Sequence, residues 1–266
     1  MTHDAENAPA RWLRTAWMMC LTCAFAAVSV ANAAGPPQTQ AYIDTILRGL
    51  PPMPARTLRR VDGVGRQLLA LRAYLRAGES LESRWSWSGE EIREYEQSVE
   101  YREVLAQLER IARRFEADNP GYTLYVNTQV RSLETQLERW NDNESVRDAA
   151  RALEVAGASE LTDASYPRKP SAAAGKRFSE FLKEWLPPNA VNLAAPGLSP
   201  HGQARAFDFQ VQQGDVIAAG TDAADIEAWD GQGWTGKLSA AVAAASDKFH
   251  GPLAAPREPW HYEYRP

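Results

Sequence analysis

The chain has 266 residues, 44% of them hydrophobic and 24% charged, a balance that suits one or two globular domains and excludes a disordered or fibrous protein. Its formal charge is -5 and no dense block of Lys and Arg occurs. The electrostatic footprint of a nucleic-acid binder is missing, so nucleic acid is set aside as a partner.

Arg11 and Arg14 precede a mostly apolar run from Ala16 to Ala31, which closes on the small-residue pattern Ala31-Asn32-Ala33. This reads as a secretory signal peptide over residues 1–33. The alternative is an inner-membrane anchor formed by residues 15–34, just long enough to span a bilayer. Ser29 and Asn32 dilute the end of the run and favour cleavage. Both cysteines, Cys20 and Cys23, lie inside the segment, so the mature chain would hold no disulfide, and the residues before each cysteine do not suit lipid attachment. The expectation is a periplasmic or secreted protein with no stable membrane span after cleavage, large enough to fold without disulfides.

Apolar spacing at Tyr42, Ile43, Ile46 and Leu50 predicts a first helix, broken by Pro51-Pro52 and Pro54. Arg56 to Ala77 resumes the helical period. Ser88 with Glu91 is a capping-box signature, and the apolar residues from Ile92 to Phe115 predict one long scaffold helix that Asn119-Pro120 stops. Composition shifts there. Tyr122 to Val126 alternates as a short strand, and Arg131 to Trp140 follows as a helix. Asn141 to Pro170 is polar and alanine-rich, with a helix near Ser145 to Val155, and reads as a surface excursion. Phe178, Phe181, Leu182 and Trp185 mark another amphipathic helix. Ala206 to Val211 alternates as a strand with Val216 to Ala219 as its hairpin partner, Trp234 to Asp247 is helical, and Trp260 to Tyr264 is a final strand.

This order predicts an α+β fold, with a small antiparallel sheet and flanking helices carrying the site. The expected divisions are a signal peptide at 1–33, a helical N-terminal region at 34–118 and a site-bearing domain at 119–266.

Two stretches carry the chemistry: Ser199-Pro-His201-Gly-Gln-Ala-Arg-Ala-Phe-Asp208 and Glu258-Pro-Trp-His261. His201, Asp208 and His261 are candidate ligands for one metal. Imidazole and carboxylate suit zinc, which in catalytic sites takes three protein ligands and leaves a fourth position open, although the same donors bind other first-row metals. Pro200 and Gly202 argue against a helix around His201, and Pro259 argues against one between Glu258 and His261. Glu258 is left free to take a proton and return it to a leaving amine, as in amide hydrolysis. A developing oxyanion also needs a positive partner, for which Arg131 is the candidate.

Ser199-x-His201-x-x-Ala204-x-Ala206-x-Asp208 followed by Glu258-x-Trp260-His261 resembles the signature of the VanY-type zinc D-alanyl-D-alanine carboxypeptidases, grouped by fold with the D-Ala-D-Ala dipeptidases and the hedgehog N-terminal domain. Arg131-Ser132-x-x-x-Gln136 resembles a further segment of that family. The resemblance covers about residues 119 to 266. It implies that His201, Asp208 and His261 hold zinc, that Glu258 is general base and acid, that Arg131 polarises the scissile carbonyl, and that peptidoglycan stem peptides are the substrates. One departure is Ala204, where the family usually has glycine; a positive φ there would strain alanine.

Ser199, Gln136 and Trp260 are candidate substrate contacts, with capping, structural hydrogen bonding and core packing as their respective plainer roles. His250 reads as a surface or core histidine. Trp140, Trp185 and Trp234 read as core, whereas Trp85 and Trp87, flanking Ser86, are a candidate groove lining. Two other functional readings stand beside the carboxypeptidase: an endopeptidase acting on peptidoglycan cross-links, and a non-catalytic, zinc-stabilised cell-wall binding or scaffold protein.

Overall fold

The computed structural model describes residues 37–266, so the signal-peptide and anchor readings lie outside the described residues. Within this stretch the chain is a mixture of ten α-helices and a five-stranded antiparallel sheet, the α+β class that the sequence predicts. None of the described helices is long and apolar enough to cross a membrane.

Helix α1 (Pro37–Leu47) turns Tyr42, Ile43, Ile46 and Leu47 inward. The expected helix from Arg56 to Ala77 is two, α2 (Pro52–Leu58) and α3 (Val64–Ala77), because Gly63 enters α3 at φ +74, a backbone state that excludes helix. The capping box is present at α4 (Gly89–Glu96): the Ser88 side chain accepts from Glu91 N–H, and the Glu91 carboxylate accepts from Ser88 N–H. The long scaffold helix is interrupted. A second N-cap, Ser98, accepts from Tyr101 N–H and starts α5 (Val99–Asp118), so the continuous apolar period hides a break.

After β1 (Thr123–Val126) come α6 (Leu133–Asp142), α7 (Glu144–Glu160) and α8 (Ala172–Glu184). The surface excursion expected over 141–170 is instead core. Val146, Ala149, Ala150, Leu153 and Gly157 of α7 are buried, and α7 packs so closely on α3 that a Cβ at Gly65 would lie 2.6 Å from the Ala150 carbonyl oxygen. Gly65 and Ala150 allow this close approach, beside the larger Val146 and Leu153. Strands β2 (Ala206–Gln213) and β3 (Val216–Ala219) form the expected hairpin, followed by α9 (Ile226–Gly231), α10 (Trp234–Ala245), β4 (Phe249–His250) and β5 (His261–Tyr264). The sheet order is β1-β2-β5-β4, with β3 also paired to β2.

Two apolar cores result. Helices α1, α2, α3, α6, α7 and α8 enclose one, with Tyr42, Leu68, Leu153 and Phe178 at its centre. The other lies where α5 and α10 pack on the sheet, around Ile111, Phe115, Phe209, Trp229 and Tyr262. The packing therefore groups the chain differently from the sequence division at 118/119: α4 and α5 join the sheet's core, whereas α6 to α8 join the N-terminal helices. The described residues, 37–266, fall within one compact unit.

Burial of α7 predicts that Leu153→Ala lowers stability by about 2–5 kcal/mol, the usual loss for a large-to-small change in a packed core. Chemical denaturation measures it; a change within about 0.5 kcal/mol is what a surface helix would give.

Candidate metal centre

Strand register builds the centre. Asp208 of β2 is directly opposite His261 of β5, and Phe207 opposite Tyr262. Directly opposed residues in an antiparallel pair hold their Cβ atoms about 5 Å apart on one face. The Asp208 and His261 side chains accordingly meet, with His261 Nδ1 at 3.0 Å from Asp208 Oδ1.

His201 arrives from a short 3-10 turn, Pro200–Gln203, started by the proline and ended by Ala204 in the left-handed conformation, φ 50 and ψ 34. Its Nε2 is 3.4 Å from Asp208 Oδ2. The two imidazoles meet edge to face with centroids 5.1 Å apart. One ligand atom from each of His201, Asp208 and His261 falls within 4.8 Å of the others.

The electrostatics suit a metal. Burial lowers the His201 pKa to about 3 against the opposing pull of Asp208, so the imidazole stays neutral with a free lone pair. Burial would raise the Asp208 pKa, but the hydrogen bond from His261 and the nearby Arg131 guanidinium hold it below the ordinary carboxylate value. A neutral imidazole and an ionised carboxylate are the forms that bind metal. The residues fit a divalent cation.

Glu258 enters through a tight turn. His261 N–H donates to the Glu258 carbonyl at 3.1 Å, an i to i+3 bond with Pro259 in the position that β-turns favour for proline. Leu253 O accepts from Glu258 N–H at 3.0 Å and fixes the turn's entry. The Glu258 Oε2 atom reaches within 3.4 Å of His261 Nδ1. Burial raises the Glu258 pKa, His261 opposes the rise, Asp208 adds to it and Arg131 opposes it. Arg131 Nη2 lies 3.4 Å from Asp208 Oδ2, and its backbone N–H donates to the His201 carbonyl at 3.0 Å, which ties the β1–α6 connection to the histidine turn.

All five groups, with Ser199 and Trp260, line one cleft of about 1160 Å³. Ser199 and Trp260 are almost wholly buried in its wall, and Trp260 also packs on Trp229 at 6.3 Å between centroids. Gln136 is outside the lining. Its amide donates to Ser86 Oγ at 2.9 Å and to the Arg131 carbonyl at 3.0 Å, and its carbonyl accepts from Gly197 N–H at 2.9 Å. That side chain is spent on holding Arg131 and the 197–203 loop together. His250 is exposed on β4.

Trp85 and Trp87, the candidate groove lining, are packing residues and border neither of the two cavities near the site. Trp85 packs on Tyr74 and on Gly197, where a Cβ would lie 2.4 Å from the indole, and Trp87 packs on Tyr95. Ser86, between them, was invisible as a site residue: it fills the space beside Gly202, where a Cβ would meet its Oγ at 2.0 Å. Thr135 and Arg139 of α6 and Arg84 also line the cleft. A scan against protein-family models gives no match, and searches of curated proteins and of solved structures give none either.

Two outcomes follow from this geometry. Ala204 sits in the left-handed region, which costs a non-glycine residue about 1–2 kcal/mol; its buried methyl group returns about 0.8 kcal/mol. Ala204→Gly should raise stability by about 0.2–1.2 kcal/mol, read as a higher denaturation midpoint with an unchanged slope. Separately, titration calorimetry with zinc should find one site per chain, and Asp208→Ala or His201→Ala should abolish it. Undiminished binding in both variants would place the metal elsewhere.

Proposed function

We propose that this protein is a zinc metallopeptidase acting outside the cytoplasm on peptidoglycan stem peptides, removing a terminal D-alanine. The observation that carries this reading is the convergence of Glu258 and Arg131 on the His201, Asp208 and His261 group inside one open cleft. A purely structural metal site needs neither a buried, proton-accepting carboxylate nor a guanidinium. The resemblance of both stretches to the VanY-type signature supports the substrate class.

His201, Asp208 and His261 would hold the ion, which supplies a Lewis acid for a carbonyl oxygen and lowers the pKa of water to about 7. The remaining steps belong to side chains. Glu258 takes a proton from the attacking water on its carboxylate and gives it to the departing amine. Its raised pKa brings it nearer the working range for both transfers, since a proton carrier is most effective when its pKa approaches the ambient pH. Arg131 stands beside Asp208 as the fixed positive charge for the oxyanion that develops on the carbonyl. Ser199 offers a hydroxyl to the peptide, and the Trp260 ring gives the cleft an apolar wall that limits water.

The size of the cleft favours one second reading. At about 1160 Å³ it exceeds the usual small-ligand pocket of about 300–1,000 Å³, which suits a chain that continues on both sides of the scissile bond, as in cross-link endopeptidase action.

The test is mass spectrometry of the protein, residues 34–266, on a pentapeptide stem ending in D-Ala-D-Ala and on cross-linked muropeptides, with and without zinc. Zinc-dependent loss of one D-alanine is expected from the pentapeptide. Glu258→Gln should lower kcat at least about 100-fold while zinc is retained. Unchanged substrates from folded, zinc-loaded protein would leave the binding or scaffold role in place of the enzyme.

A further inference from the structure

A second cavity, of about 480 Å³, lies beside the cleft in the helical half. Its walls come from α3, from Trp140 of α6 and from the connection between α8 and the histidine turn. Three arginines, Arg72, Arg76 and Arg84, line it, and no aspartate or glutamate does. None of the three forms an ion pair among the described residues.

Arg72 and Arg76 are four residues apart on α3, so two like charges share one helix face, an arrangement that destabilises an isolated helix. Both are anchored. Arg72 Nε donates to the Trp185 carbonyl at 2.8 Å, and its guanidinium lies over the Trp185 ring at 5.8 Å from the centroid. Arg76 Nη1 donates to the Lys183 carbonyl at 3.0 Å. These bonds satisfy carbonyls at the end of α8 and use one N–H of the five on each guanidinium. Arg84 makes no side-chain hydrogen bond among the described residues. Helix capping thus accounts for the anchoring of two arginines, but not for the third, nor for a lining without acids.

We propose that this pocket binds an oxyanion, a carboxylate or phosphate group, on a ligand that extends from the catalytic cleft. Planar guanidinium forks match both groups with paired hydrogen bonds. The two cavities are adjacent: Arg84, Val191, Leu193, Ala194 and Leu198 border both. Leu69 and Trp140 supply an apolar floor for the stem that carries the charge. On the peptidase reading, on which only the identity of the ligand rests, the group is a side carboxylate of the stem peptide.

The test uses residues 34–266 carrying Glu258→Gln, with zinc added, so that turnover does not intrude. Calorimetry compares a stem pentapeptide bearing a free side carboxylate with the same peptide amidated at that group, and with inorganic phosphate. The acid should bind about 10-fold or more tighter than the amide, as a charge-assisted hydrogen bond implies. The Arg72→Gln/Arg76→Gln double variant should remove that preference without altering the affinity for the amide. Because Arg72 also closes α8, Arg84→Gln is the second variant: its side chain bonds nothing internally, and it should lower acid binding in a normally folded protein. Phosphate binding that Arg84→Gln abolishes, without discrimination between the peptides, would assign the same site to a phosphate-bearing ligand. Equal affinity for acid and amide together with no phosphate binding would overturn the proposal. Failure of the peptidase reading looks different: wild-type protein shows no zinc-dependent turnover while the arginine-dependent preference persists.

Discussion

The antiparallel pairing of β2 with β5 is the constraint on which the centre depends. It sets Asp208 opposite His261, and because side chains alternate across a strand, a slip of one residue would send one of the two to the other face of the sheet. The register is held by what lies on either side of the pair. Phe207 and Tyr262, the next opposed pair, are buried in the sheet's core, so a slip would also expose them. The apolar face of the sheet thus fixes the polar face. The carboxylate, taken out of water between two imidazoles and a guanidinium, keeps its charge because hydrogen bonds and the guanidinium replace the lost solvation.

The helical half is more than a neighbour of the sheet. Residues 83–87 come from the segment between α3 and α4, and they clasp the loop that delivers His201. Ser86 N–H donates to the Gly197 carbonyl, Trp87 N–H to that of Gly202, and the Gln203 amide to the carbonyls of Ser83 and Trp85. Gln136 closes the arrangement from α6. A histidine on a 3-10 turn has few bonds of its own to fix it, and these supply the missing rigidity. Metal sites work when the supporting residues hold each ligand in place, and here that support comes from parts of the chain far away in sequence.

That distance explains what the sequence could and could not disclose. Local chemistry was legible: the Ser88 and Glu91 capping box, the β2–β3 hairpin, and the spacing of His201 with Asp208 and of Glu258 with His261, each of which involves residues within a few positions or a short strand. Non-local packing was not. The helix α7 looked peripheral because its buried face is made largely of Ala149, Ala150 and Gly157 rather than large apolar residues, and close approach of two backbones leaves no hydrophobic period to read. The break at Ser98 was masked for the opposite reason, since the apolar period continues through it while the cap alone signals a new start. Ser86, Gly197 and Gly202 matter only through one another, across more than a hundred positions. Arg72, Arg76 and Arg84 share a pocket only because the fold lays the 187–198 connection beside α3.

The charge balance of the centre gives its donor set a direction. With His201 held neutral by burial, the Asp208 and Glu258 carboxyl groups share a largely desolvated space with the guanidinium of Arg131, so ionising both there is opposed. Uncompensated buried charge is expensive. Protonation of Glu258 relieves it, which is the direction in which burial moves that group, and a divalent cation between the imidazoles and Asp208 relieves it in a second way. The two remedies compete, because a cation beside Glu258 favours its ionised form. Glu258 is therefore a carboxyl group whose proton affinity depends on what the other three residues hold.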